Sequence, residues 1–468
     1  MIRATALLLL LCSASFSSEE AETLAVLART APPEFAADAL LLLAEDESLG
    51  AGARVEWAVE AFRTAVRARD SASWIRYPGR MADSVNGLRG NAARLGLDAL
   101  TLRGRAVRVL LKLDKRHAYE LFAEYGLPDT PAVPCRSEMV PDPAAYFETV
   151  REVIGSVRTD ADRDLLGGKD RVALLTEALR LARHPMAVAA AIELLTGLAL
   201  SPEEVAAVAP VLGASLAAAL GGDRSFTAAQ SRTARVERVA VLLKEAEIDA
   251  TPLVAAYRTY LVRHFGGDRC AEATEQATRA EAEKFDQMVT RLGLAGRVAP
   301  IDEEESRPRR LLDAAEDEMM WDSPHDRRVL RSLRQLRFNA NDEPYTASEK
   351  ASLEWLRWAD EVVLEVEEWQ PEGSALRQMF LKWSAYSSLI DVLPEGAEHQ
   401  RAVSLLIAFL VSSYEEEHHV EWYELVTNTA VRSRDLPAQQ RELIWNAFAH
   451  SGNPALALRA AIERWRYR

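Results

Sequence analysis

Few residues of this 468-residue chain could do chemistry, and they are scattered. The densest group is Tyr414-Glu415-Glu416-Glu417-His418-His419. Glu415 with His418, and Glu416 with His419, form Glu-x-x-His pairs. On a helix, i and i+3 share a face, so each pair could offer two metal ligands. Di-iron bundles place two such pairs on different helices and add further glutamates. Here both pairs fall on one turn and point different ways, and the chain has no Glu-x-x-His elsewhere. Asp322 and His325 share the spacing, but nothing in the sequence brings them near. The group reads as a solvated acidic helix, with no metal and no cofactor expected. His264, in line with Tyr257 and Tyr260, reads as a packed histidine. Gly-x-Ser-x-Gly, His-Glu-x-x-His, the phosphate loop and the dinucleotide fingerprint are all absent. Leu166-Gly167-Gly168-Lys169-Asp170 lacks the upstream glycine and the Ser/Thr that a phosphate loop needs. No catalytic residue is assigned.

The cysteines carry the clearest covalent expectation. Met1 to Ser18 reads as a secretory signal: Arg3 is the positive start, Ala4 to Leu11 a short apolar core, and Cys12-Ser13-Ala14-Ser15 the small-residue stretch for cleavage. A lipoprotein signal would lipidate Cys12, but it wants a small residue before the cysteine, and Leu11 is not small. Removal of the signal leaves Cys135 and Cys270. In an exported protein, two cysteines are expected to form one disulfide. The competing reading is two buried thiols. No later segment reaches membrane-spanning length; Ala402 to Val411 is a half-span with Arg401 at its edge.

The elements that must position these residues are helices. Val188, Ala191, Ile192 and Leu195 fall at i, i+3, i+4 and i+7. So do Val205, Val208, Ala209 and Leu212, and again Val236, Val239, Ala240 and Leu243. Ser201-Pro202-Glu203-Glu204 is a capping box with proline at the first helical position. Thr346-Ala347-Ser348-Glu349 is a second box, expected to open one long helix to Trp369 with Trp355, Trp358 and Val362 along it. Val55, Val59, Phe62 and Val66 mark the apolar face of an earlier helix, beside Trp57. Ser71 to Asn91 is less regular and reads as a connector anchored by Trp74. Pro128, Pro131, Pro134, Pro141 and Pro143 make 127–143 a crossing between helical blocks. The fold class is all-α: antiparallel helix hairpins in an irregular solenoid or stacked bundles, with short connections joining consecutive neighbours.

Composition bounds the function. The hydrophobic fraction of 49% argues against disorder, and a net charge of −15 disfavours nucleic acid as a partner. Residues 1–299 carry 36 basic and 40 acidic residues, net −4; residues 300–468 carry 20 and 31, net −11, with eight of the ten tryptophans. The charged, proline-ended stretch 301–308 is therefore read as a linker. It would separate an Ala/Leu-rich domain, 19–299, from a Trp-rich acidic domain, 300–468. Interfaces favour Trp, Tyr, Arg and Met. Trp321, Tyr345, Trp383, Tyr386, Trp422 and Tyr423 are the candidate binding residues. Trp422 and Tyr423 are adjacent and point apart, so both are not expected in one core. The excess negative charge would suit a basic partner. Arg327, Arg331 and Arg334 are read as pairing with Glu316-Asp317-Glu318 or as solvated.

Arg441 to Trp465 reads as helix, Ser451-Gly452-Asn453-Pro454 turn, helix. Gly452 and Ala457 match small-residue positions of the tetratricopeptide pattern, and this unit resembles one such repeat, although Arg441 stands where the motif has tryptophan. The resemblance covers this helix pair alone, and no 34-residue period recurs. It implies a solenoid-like surface that binds other proteins. The functional expectation is an exported helical scaffold or adaptor for a protein or peptide, without catalysis. The alternative is an exported all-α enzyme, such as a sugar-active toroid of helix pairs, which would need two carboxylates in an aromatic-lined cleft.

Overall fold

The computed structural model describes residues 19–76, 83–129, 133–135, 137, 139–220, 223–229, 232–270, 275–313 and 318–467. The export signal and Cys12 lie outside the described residues, as do Tyr77-Pro78-Gly79, Gly221-Gly222 and Glu316-Asp317. The described elements are almost all α-helices. Among the described residues, no helix is long and apolar enough to cross a membrane.

The chain packs as two compact units that are not contiguous halves. One comprises Met1–Ala39, Arg80–Leu95 and Asp317–Arg468; the other comprises Leu40–Gly79 and Gly96–Glu316. The composition break at Ala299-Pro300 therefore falls inside the second unit. The reason is local. The Arg258 guanidinium donates to Pro300 O (2.7 Å) and to Glu305 (2.5 Å), and Ile301 N–H donates to Asp286 (3.0 Å). The charged stretch is held on its own unit by its charges.

In the second unit the stripes read from sequence are buried as sets. Val188, Ala191, Ile192 and Leu195 are at most 2% exposed, and Val205, Val208, Ala209 and Leu212 at most 5%. The helices form where capping and periodicity agree. Ser201 Oγ accepts from Glu204 N–H while the Glu204 carboxylate accepts from Ser201 N–H (2.8 Å), which opens Pro202–Ala218. The packing order departs from expectation. Pro202–Ala218 lies against Arg171–Leu181 and Thr251–Phe265, while Pro185–Gly197 lies against Asp223–Ala229 and Thr233–Glu245. Helices two and three apart in the chain thus pack on each other, each taking cover from more than its chain neighbour.

Two small strand pairs qualify the all-α reading. Ser73–Arg76 pairs antiparallel with Met139–Asp142, setting Trp74 opposite Pro141. Trp74 packs there against a buried cluster that includes Val133, Val140 and Met186. The connector and the Pro-rich crossing are therefore tied to each other by backbone hydrogen bonds, and Pro141 sits in a two-stranded ribbon, where a lost N–H is tolerated. Asp268–Cys270 pairs in parallel with Arg310–Leu312. The expected Cys135–Cys270 disulfide is present, with Cα atoms 5.2 Å apart, and joins the Pro-rich crossing to that second strand pair.

In the first unit the long helix expected from Thr346 is two helices. The Thr346–Glu349 box caps only Ala347–Lys350; Ser352 then caps a new start, accepting from Trp355 N–H (3.2 Å), and Leu353–Glu368 follows. A second N-cap three residues after a capping box restarts the helix rather than extending it. Trp355, Val362 and Trp369 are buried as core, and Trp358 is half-buried. The last two helices, Ala438–Ala449 and Pro454–Arg466, pack on each other, with Gly452 at φ +77° in the turn between them.

Candidate functional site

Four of the six aromatics expected at a binding surface are core residues. Trp383 (6% exposed) donates from Nε1 to Thr429 Oγ1 at 2.9 Å. Tyr386 is buried beside Phe409. Trp422 is fully buried and donates to Leu410 O at 2.8 Å, while Tyr423 stacks on Phe35 with ring centroids 3.9 Å apart. The expectation that Trp422 and Tyr423 could not both be core is corrected. Their helix, His419–Arg432, is covered by Val85–Ala93, by Ala375–Val392 and by Pro454–Arg466, so residues about 100° apart both face protein. Trp321 and Tyr345 are half-buried, Trp321 stacked on Trp369 at 5.8 Å and Tyr345 edge-on to Trp355 at 6.4 Å.

The Glu415–His419 group is also rearranged. Glu416–His418 is a single 3-10 turn, and His419 begins the following α-helix with its ring buried. His419 Nε2 meets Glu34, itself 2% exposed, and Nδ1 meets Glu416 O at 2.7 Å. The partner missing from the sequence reading lay near the N-terminus, at no spacing a motif could signal. No group of three or more His, Cys, Asp or Glu side chains is placed to hold a metal among the described residues.

The first unit buries further charge, each time with a partner. Asp326, fully buried, accepts from Arg377 Nη2 (2.6 Å) and from Trp369 Nε1 (3.3 Å); Arg377 Nε also donates to Met319 O and Met320 O, both at 2.8 Å. Glu463, fully buried, takes Arg434 Nε at 2.7 Å and also pairs with Arg459. Lys382 Nζ donates to Val366 O and Glu367 O (2.7 and 3.1 Å) and to Trp369 O, satisfying the carbonyls at the end of Leu353–Glu368. Each of these groups holds a helix end or a loop. Of the expected arginine pairings, Arg327 binds Asp322 (2.8 Å) and Arg334 binds Asp342 (3.1 Å), while Glu318 binds Ser374 instead.

In the second unit the bridge lies in a buried polar setting. Arg224 Nη2 donates to Cys135 O, and Arg269 lies 5.4 Å from the Phe226 ring centroid. His264 stacks on Phe226 at 4.5 Å, as a packed histidine. Burial pushes its imidazole down to about 4, and Arg263 and Arg269 push the same way.

An open concavity of the second unit lies elsewhere, along the helix Ala51–Ala65. That helix buries Trp57, Ala58, Ala61, Phe62 and Ala65, chiefly against Ala99–Leu113, with the Arg103 guanidinium 4.4 Å over the Phe62 ring. The face expected from Val55, Val59, Phe62 and Val66 is therefore corrected: Phe62 alone of the four is buried, and Val66 is 58% exposed. Small alanines allow closer helix contact than valines, and the buried stripe turned accordingly. Val55 and Val59, half-buried, line a cleft of about 940 Å³. Its long wall is the stripe Gly52, Val55, Glu56, Val59, Glu60, Arg63, Thr64 and Arg67.

Leu113, Asp114 and His117 close the other side. Asp114 ends one helix and caps the next, accepting from Arg116 N–H (3.0 Å) and His117 N–H (3.3 Å). Its second oxygen meets His117 Nδ1 at 2.8 Å. The His117 ring, with the two N–H groups, holds the Asp114 carboxyl below the usual range. The Asp-x-x-His spacing of this pair is legible in the sequence, as it is at Asp322 and His325. No protein-family model matches the chain, and comparison with curated proteins and with solved structures returns no match.

Proposed function

We propose that the protein is an exported helical scaffold that binds another protein or peptide through an exposed helical surface, and that it belongs among tetratricopeptide-like repeat proteins. The observation that carries the reading is the stripe of the Ala51–Ala65 helix that its own unit leaves only partly covered, apolar at the half-buried Val55 and Val59 and charged around them. Surfaces of this kind, concave, helical and mixed in polarity, suit protein ligands rather than small molecules, which need enclosure. The Cys135–Cys270 bridge supports export, since such bridges persist in oxidising compartments. The test is affinity capture from the native envelope with residues 19–468 as bait. A saturable protein partner, retained at stoichiometric level and released by salt, is the expected result. Turnover of a polysaccharide by the purified chain, with no protein retained, would replace this reading with the enzymatic one.

A further inference from the structure

We infer that the cleft along Ala51–Ala65 takes an amphipathic α-helix of the partner, lying antiparallel to it, acidic towards its N-terminus and basic towards its C-terminus. This rests on the scaffold reading and adds the chemistry and direction of the ligand. Three observations carry it.

The first is shape. The long wall is one helical stripe at i, i+3 and i+4 spacing, and the short wall is the junction of two further helices. No strand borders the cleft among the described residues, so an extended peptide would find no edge to pair with. A second helix would set its ridge between Val55 and Val59, as helices pack elsewhere in proteins.

The second is space. A Cβ placed on Gly52 meets no atom within 4 Å, so this end of the stripe is open to an approaching backbone. The third is the order of charge. Glu56 lies in the N-terminal half of the stripe and Glu60 at its middle, with Asp114 on the wall opposite; Arg63 and Arg67 lie at its C-terminal end. A partner helix with acidic residues in its first turns and basic residues in its last is also the arrangement its own dipole favours. Laid antiparallel, it sets acid against Arg63 and Arg67, and base against Glu56. Laid parallel, it sets like charges together at both ends.

The test uses two synthetic helical peptides of identical composition, each with an Ala/Leu stripe. One runs from Glu to Lys along its length and the other from Lys to Glu. Binding to the full chain is read by fluorescence anisotropy at low salt. The acidic-to-basic peptide should bind at least about ten-fold tighter than its reverse. G52W, whose ring enters open space and leaves the circular dichroism unchanged, should weaken it by about the same factor. E56K/R63E/R67E should invert the preference. Equal binding of the two peptides, no binding of either at ~1 mM, or indifference to G52W would overturn the inference. So would a concentration-dependent dimer of the chain that G52W abolishes, which would make the cleft a self-interface. A partner captured equally by the wild-type chain and by G52W would remove the cleft assignment while leaving the scaffold reading in place.

Discussion

Removing the Cys135–Cys270 bridge should lower the stability of the second unit by up to about 5 kcal/mol. The bridge closes a segment 135 residues long, and the chain-entropy relation gives about 5 kcal/mol at 25 °C for a loop of that length. Most of this acts on the unfolded chain, because the folded surroundings persist without the bond. Cys135 is 5% exposed and Cys270 fully buried, and a free cysteine packs as a small hydrophobe. The Asp268–Cys270 strand keeps its pairing with Arg310–Leu312, and Arg224 keeps its bond to Cys135 O. The assay is urea unfolding of the wild type, the reduced wild type and C135A/C270A. It should be followed by near-ultraviolet circular dichroism, so that the transitions of the two units are resolved where they separate. The second unit's midpoint should fall in both altered proteins, and native-state reduction should be slow because the sulfurs are shielded from an attacking thiolate. A loss below about 1 kcal/mol in C135A/C270A would refute the entropic argument. Two thiols titrating in unreduced, unfolded protein would refute the bond itself.

R377M should cost about 3–5 kcal/mol in the first unit, because it leaves Asp326 buried without its cation; D326L/R377M should recover much of that, and an unaltered urea midpoint for R377M would contradict the pairing. The fragment 300–468 should fail to reach native near-ultraviolet dichroism, since it lacks Glu34 against His419 and Phe35 against Tyr423; a cooperative transition in that fragment would show those contacts dispensable. H264F should hold its stability at pH 7 to within about 1.5 kcal/mol, the ring stack on Phe226 being kept. Its acid sensitivity should shrink. The folded His264 pKa of about 4 lies below the ordinary 6.5, so the unfolded chain binds the extra proton first, and stability is lost as pH falls from 6.5 through 4, by about 3 kcal/mol at most. His184, also held near 4 by burial, should keep part of the slope, and a profile unchanged by H264F would sink the assignment.

What was legible in the sequence was what short-range physics decides. The Ser201 and Thr346 capping boxes are local, three residues from donor to acceptor, and both form. The Val188, Val205 and Val236 stripes are local in the same sense, and all three are buried. The disulfide followed from counting, since compartment and number left one pairing. Failures began where a residue's fate depended on a distant segment. Val55 and Val59 match an apolar stripe as well as Ala58 and Ala61 do, and only the approach of Ala99–Leu113 decides which face is covered. His419 looked solvated because Glu34 is far away in sequence. Trp422 and Tyr423 look divided between core and surface because a single helix taken alone has one buried side; this one is covered by other helices on more than one side.

The same distinction bears on where recognition should be sought. Composition pointed after Ala299, to the tryptophans, as large side chains with a polar handle. The first unit uses those handles internally: Trp383 Nε1 is committed to Thr429, Trp422 Nε1 to Leu410 O and Trp369 Nε1 to Asp326. An indole bonded and buried in this way is unavailable to a partner unless the helices separate. The Ala51–Ala65 stripe is the converse case. Its valines, Glu56 and its arginines are ordinary residues that no composition argument selects, yet they lie along an open cleft in an order of charge that a second helix could match. In an all-α protein built from many modest helices, aromatic richness marks the places where packing is most complete. On the scaffold reading proposed above, the surface for a ligand lies instead where a helix face such as that of Val55 and Val59 is only half covered.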